Sequence, residues 1–75
     1  MTYKEAVKKL RLKMLMTQEE FAKLLDVSFA TLNRWETGKY IPTIKARRKL
    51  QPYFEKYNID VDEQNGNTKI RINMG

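Results

Sequence analysis

The sequence predicts an all-α domain, a bundle of four or five helices followed by a short C-terminal β-hairpin. Three observations carry this prediction. Four helix-opening signals stand along the chain, apolar residues recur every three or four positions behind each of them, and the pattern changes to strict alternation after Tyr57.

Thr2 with Glu5, and Thr17 with Glu20, have the spacing of capping boxes, in which hydroxyl and carboxylate satisfy backbone N–H groups that a helix start leaves unpaired. Ser28 and Thr43 are N-caps without the second half of the box. Helices are therefore expected over about 2–14, 17–25, 28–37 and 43–57. Met16 and Val27 each precede a cap and are placed to staple onto Phe21 and Leu32. The expected inward faces are Tyr3, Val7, Leu10 and Met14; Phe21, Leu24 and Leu25; Leu32 and Trp35; and Ile44, Leu50, Phe54 and Tyr57. Gly38 follows the third helix where a left-handed stop is expected, and Pro42 stands just before the fourth. Pro52 lies inside the last helical pattern and either kinks that helix or divides it in two.

Residues 1–57 form the predicted helical domain and 58–75 the hairpin tail. Asn65-Gly66 is a strong two-residue turn signal. Centring the turn there sets Val61 opposite Ile70 and Ile59 opposite Ile72 on one face, with Asp62 opposite Lys69 and Asp60 opposite Arg71 on the other. A slip of one residue destroys both sets of matches. An isolated hairpin is marginal in water, so its apolar face is expected to pack on the helices or on a second chain.

The absence of cysteine excludes disulfides, thiolate metal sites and thiol nucleophiles, and the absence of histidine removes the usual general base and metal ligand. Neither an enzyme, a metal site nor a cofactor is expected. Glu19 and Glu20 open a helix, and Asp60 and Asp62 have partners in the hairpin register, so these carboxylates already have structural roles. The opening "MTYKEAVKKL" has no long apolar stretch and no run approaches a membrane span, which predicts a soluble cytoplasmic protein. The net charge is +6, unevenly placed: residues 1–57 carry 13 basic and 6 acidic groups, residues 58–75 carry 2 and 3. A polyanion is the natural partner of such a field, although a lysine-rich solvated surface accounts for the same charge.

The segment "VSFATLNRWETG", Val27 to Gly38, poses a sharper question. At about 100° per residue, Leu32 and Trp35 share one side of a helix, while Phe29, Ala30, Asn33 and Arg34 cluster on the other. A ring, a methyl, an amide and a guanidinium suit neither a core nor an ordinary solvated face. The residues Gln18 to Thr37 have the layout of two short helices joined by a tight turn. The longer stretch "LRLKMLMTQEEFAKLLDVSFATLNRWETGKYIP", Leu10 to Pro42, closely resembles the Cro/repressor-like (XRE) family of DNA-binding regulators. The matching features are Thr17-Gln18 opening the first motif helix, small Ala22 at the helix crossing, apolar Phe21, Leu25, Val27, Leu32 and Trp35, and the ending from Arg34 to Pro42.

The resemblance implies a lambda-repressor-like four- or five-helix fold that lays the second motif helix in the DNA major groove. By position, Ser28, Phe29, Ala30, Asn33 and Arg34 become the base readers. Arg34 matches guanine O6 and N7, Asn33 suits adenine or a phosphate, and Phe29 and Ala30 offer apolar surface to a thymine methyl. Phe29 also fits a core position at the helix edge. Thr17, Gln18, Thr37, Lys39 and Tyr40 become backbone-phosphate contacts, with Thr17 doubling as a cap. Arg11 and Glu36 match a salt bridge joining the first helix to the end of the third. Lys8, Lys9, Lys13 and the run Arg47-Arg48-Lys49 are assigned to a solvated face, with long-range attraction of a polyanion as their second role. The resemblance further implies a bacterial or phage-type repressor that binds duplex DNA as a homodimer, with the hairpin a candidate dimer contact. An antitoxin that uses the hairpin to hold a toxin, or a protein-interaction adaptor built on the same bundle, are the alternatives. Two departures stand out: Asp26 in the turn and Leu15 after the first helix, where the family commonly has glycine. Asp tolerates the left-handed region, whereas Leu15 predicts a different path for the loop between the first two helices.

Overall fold

The structure, a computed structural model, describes residues 1–61, which fold into four helices: α1 (Tyr3–Lys13), α2 (Gln18–Leu25), α3 (Phe29–Glu36) and α4 (Ile44–Lys56). All four open as their caps dictate. The Thr2 hydroxyl accepts from the Glu5 N–H and the Glu5 carboxylate from the Thr2 N–H, and Thr17 with Glu20 repeats the arrangement. Ser28 and Thr43 accept from the N–H groups of Thr31 and Ala46.

The helices end alike. Leu15, Asp26, Gly38 and Asn58 have positive φ, at 57°, 57°, 82° and 55°. Each closes the same pair of bonds, in which its own N–H and the next residue's N–H return to two carbonyls of the last turn. These are Leu15 to Leu12 with Met16 to Arg11, Asp26 to Lys23 with Val27 to Ala22, Gly38 to Trp35 with Lys39 to Arg34, and Asn58 to Glu55 with Ile59 to Phe54. This is the Schellman pattern, whose left-handed position glycine fills most easily. Here Leu15 adopts it, which corrects the expected detour: the chain takes the path a glycine would take. Two returning hydrogen bonds offset the steric cost of a Cβ in that region.

The core is continuous. α1 packs on α3 and α4, and α2 packs on the same two helices. Their buried residues are Tyr3, Ala6, Val7 and Leu10 from α1; Phe21, Ala22 and Leu25 from α2; Leu32 and Trp35 from α3; and Ala46, Leu50 and Phe54 from α4, with Ile59 beyond it. Met14, Met16, Val27 and Tyr57 pack against this cluster half-buried. Two expected inward residues are instead exposed, Leu24 at 41% and Ile44 at 65%. The helical wheel gives the reason. Leu24 lies about 110° from the centre of the arc spanned by Phe21, Leu25 and Ala22, and Ile44 about 120° from that of Ala46, Leu50 and Phe54.

α4 runs unbroken through Pro52, so the helix is not divided there. Ile59 is buried and Val61 half-buried against the bundle. The rest of the expected hairpin, with its Asn65-Gly66 turn, lies outside the described residues.

Candidate nucleic-acid interface

α3 is anchored from behind. Leu32 is fully buried and Trp35 is 4% exposed, so the axis of α3 cannot roll without emptying the core. Opposite them, Phe29, Ala30, Asn33 and Arg34 are all exposed, Phe29 at 50%, which places its ring outside the core. Ser28 sits at the cap, where its hydroxyl accepts from the Thr31 N–H at 3.0 Å and donates to Thr31 Oγ1 at 2.9 Å.

A buried polar network sets the position of α3 relative to α1 and α2. Arg11 Nε donates to Glu36 Oε2 at 2.7 Å and Nη2 to Oε1 at 3.0 Å, a two-pronged pair between side chains 12% and 5% exposed. Nη1 donates to the Met16 carbonyl at 3.1 Å, so the same guanidinium holds the loop between α1 and α2. Hydrogen bonding to Glu36 holds the Arg11 guanidinium above its ordinary pKa, against the opposing pull of burial. Gln18, at the start of α2, completes the network: its Nε2 donates to Glu36 Oε1 at 3.1 Å and to Asn33 Oδ1 at 3.4 Å. The donors of the Gln18 side chain therefore face the protein, and its first-turn backbone N–H is what α2 offers outward.

The other expected phosphate contacts divide in two. Thr17 is occupied as a cap, and the Thr37 hydroxyl donates to the Asn33 carbonyl at 2.9 Å. Lys39 and Tyr40 are exposed just past α3, with the Arg34 guanidinium 5.7 Å from the centre of the Tyr40 ring. That contact holds Arg34 at the end of the α3 outer face.

Arg47 and Lys49 are not the solvated residues expected of them. Lys49 Nζ donates to the Leu25 carbonyl at 2.9 Å, placing a cation on the C-terminus of α2 beside the turn into α3. Arg47 Nε donates to the Pro42 carbonyl at 3.0 Å, and its guanidinium lies 5.3 Å from the centre of the Tyr3 ring, tying the α3–α4 loop to α1. A signal for both was available in the sequence: they flank the Ala46–Leu50–Phe54 stripe, whereas Arg48 falls on the far side of α4 and is exposed.

Among the described residues no group of His, Cys, Asp or Glu side chains could hold a metal ion, and no helix is long and apolar enough to cross a membrane. The sequence model of the helix-turn-helix family matches residues 7–63, from α1 past the end of α4. Comparison with curated proteins and with solved structures gives no match in either set.

Proposed function

The chain belongs to the Cro/repressor-like helix-turn-helix family, and from that premise we propose that it is a sequence-specific duplex-DNA-binding regulator that inserts α3 in the major groove. The observation that supports this most is the division of α3 into a buried anchor, Leu32 and Trp35, and an exposed opposite face, Phe29, Ala30, Asn33 and Arg34. A rigid helix presenting donors and apolar surface fits a groove whose floor carries acceptors and thymine methyls. Arg34 pairs with guanine O6 and N7, and Phe29 and Ala30 meet a thymine methyl. Ser28 approaches the same edge from the cap. Lys39, the Tyr40 hydroxyl and the first-turn N–H of Gln18 take the phosphates. The regulator acts as a repressor and binds as a homodimer, with half-sites roughly 34 Å apart.

Selection from random oligonucleotides with the purified protein tests this directly. The expected outcome is one enriched, two-fold symmetric site with half-sites a helical turn apart, bound with an affinity that falls steeply as salt rises. Failure to enrich any sequence removes the proposal and leaves the bundle as a protein-interaction module.

A further inference from the structure

Asn33 is polar, exposed and at the centre of the α3 outer face, yet one end of its amide is already committed. The commitment has a direction that can be traced from the core outward. Arg11 only donates hydrogen bonds and Glu36 only accepts them. The end of the Gln18 amide that lies 3.1 Å from Glu36 Oε1 must therefore be its NH₂ group, since the carbonyl end would oppose a carboxylate. The same NH₂ faces Asn33 at 3.4 Å, so the end of Asn33 turned toward it is the carbonyl Oδ1. The Nδ2 group is the other end of this exposed side chain and has no partner among the described residues.

We propose that this Arg11–Glu36–Gln18–Asn33 relay makes Asn33 a donor-only reader of DNA, selecting guanine over adenine at the base pair it meets. The inference rests on the DNA-binding function proposed above and specifies its readout. Asparagine recognises adenine by accepting from N6 with Oδ1 while donating to N7 with Nδ2. With Oδ1 drawn back onto Gln18, the accepting half of that pair is missing and the adenine amino group meets a second donor. Guanine presents two acceptors there, N7 and O6, which suit the Asn33 NH₂. Arg34, the adjacent residue, is likewise donor-only, so the two together call for an acceptor-rich edge. Gln18 is a positioning residue in this scheme: it touches no base but sets which half of Asn33 does.

The test is oligonucleotide selection with the intact chain and three variants, with thermal unfolding confirming that each folds. Asn33→Ala identifies the position in the selected site that Asn33 reads. At that position the wild-type protein is expected to prefer guanine to adenine by about tenfold or more. Gln18→Met, which releases Asn33, is expected to shift that ratio about fivefold to tenfold toward adenine. Asn33→Asp replaces a surface side chain without touching the core. It turns an acceptor outward while still accepting from Gln18, and is expected to move the preference to cytosine, whose N4 donates. Adenine preferred by the wild type at that position overturns the relay, as does a ratio that Gln18→Met leaves unmoved. A loss of affinity in Asn33→Ala that is uniform across sequences overturns it too. A wild-type protein that selects no sequence instead removes the DNA-binding function on which the relay rests.

Discussion

Glu36 closes α3 against α1 by accepting two hydrogen bonds from one guanidinium, that of Arg11, 25 residues earlier, at 2.7 and 3.0 Å. Both side chains are largely withdrawn from water, so the pair serves to fix geometry more than to add net stability. Removing one partner strands the other. Arg11→Met and Glu36→Leu are each expected to destabilise by roughly 3–5 kcal/mol in urea unfolding, and the two together to recover much of that loss. A double variant as unstable as the sum of the singles contradicts this. The raised pKa of Arg11 gives the sign of any pH effect: its contribution is fully present below the ordinary arginine range and is lost only above it, so no arginine titration enters the stability profile near neutrality.

Leu15 pays the steric cost of a left-handed residue with a side chain that is 90% exposed and contributes no burial in return. Leu15→Gly is expected to stabilise the domain by about 1 kcal/mol, the penalty of the left-handed region less the extra freedom of glycine in the unfolded chain. For a chain this small that is a rise in Tm of roughly 4–8 °C, measurable by calorimetry. An unchanged or lower Tm shows that the loop does not hold that conformation.

Lys49 and Arg48 are neighbours with opposite expectations. Lys49→Met removes a charge-assisted hydrogen bond to the end of α2 and is expected to cost roughly 1.5–3 kcal/mol, whereas Arg48→Met, on the exposed side of α4, stays within about 0.5 kcal/mol of the wild type. Equal losses in denaturant titrations of the two variants refute the assignment.

On the proposed function, Arg34 serves recognition and Lys39 attraction. Arg34→Ala is expected to weaken binding to the selected site by roughly 1–3 kcal/mol and to relax preference at one base position. Lys39→Ala is expected to weaken binding to all sequences alike and to lower the salt slope by about 1. Binding isotherms at several salt concentrations distinguish the two, and identical behaviour defeats the division of roles.

The helices and their starts were legible because a cap is a local event: Thr2, Thr17, Ser28 and Thr43 announce themselves within four residues. The outer face of α3 was legible for a similar reason, since Leu32 and Trp35 anchor one side and the remainder must face outward. What escaped are the contacts between elements distant in sequence. Lys49 reaches a carbonyl 24 residues away and Gln18 an amide 15 away, and no periodicity encodes such meetings. Leu15 misled because propensity weighs one residue at a time, while the turn is stabilised by two hydrogen bonds that its neighbours make together. Leu24 and Ile44 misled because spacing of three or four residues does not say where a narrow buried stripe ends.

Of the four positive-φ positions that stop the helices, glycine occupies one, and Leu15, Asp26 and Asn58 hold the others. None of these three belongs to the exposed face of α3. A variant library can therefore be built in two independent halves, one hardening the corners of the scaffold and one rewriting the outer face of α3. A scaffold toughened at its corners should tolerate more drastic substitutions at Phe29, Ala30, Asn33 and Arg34 before it ceases to fold.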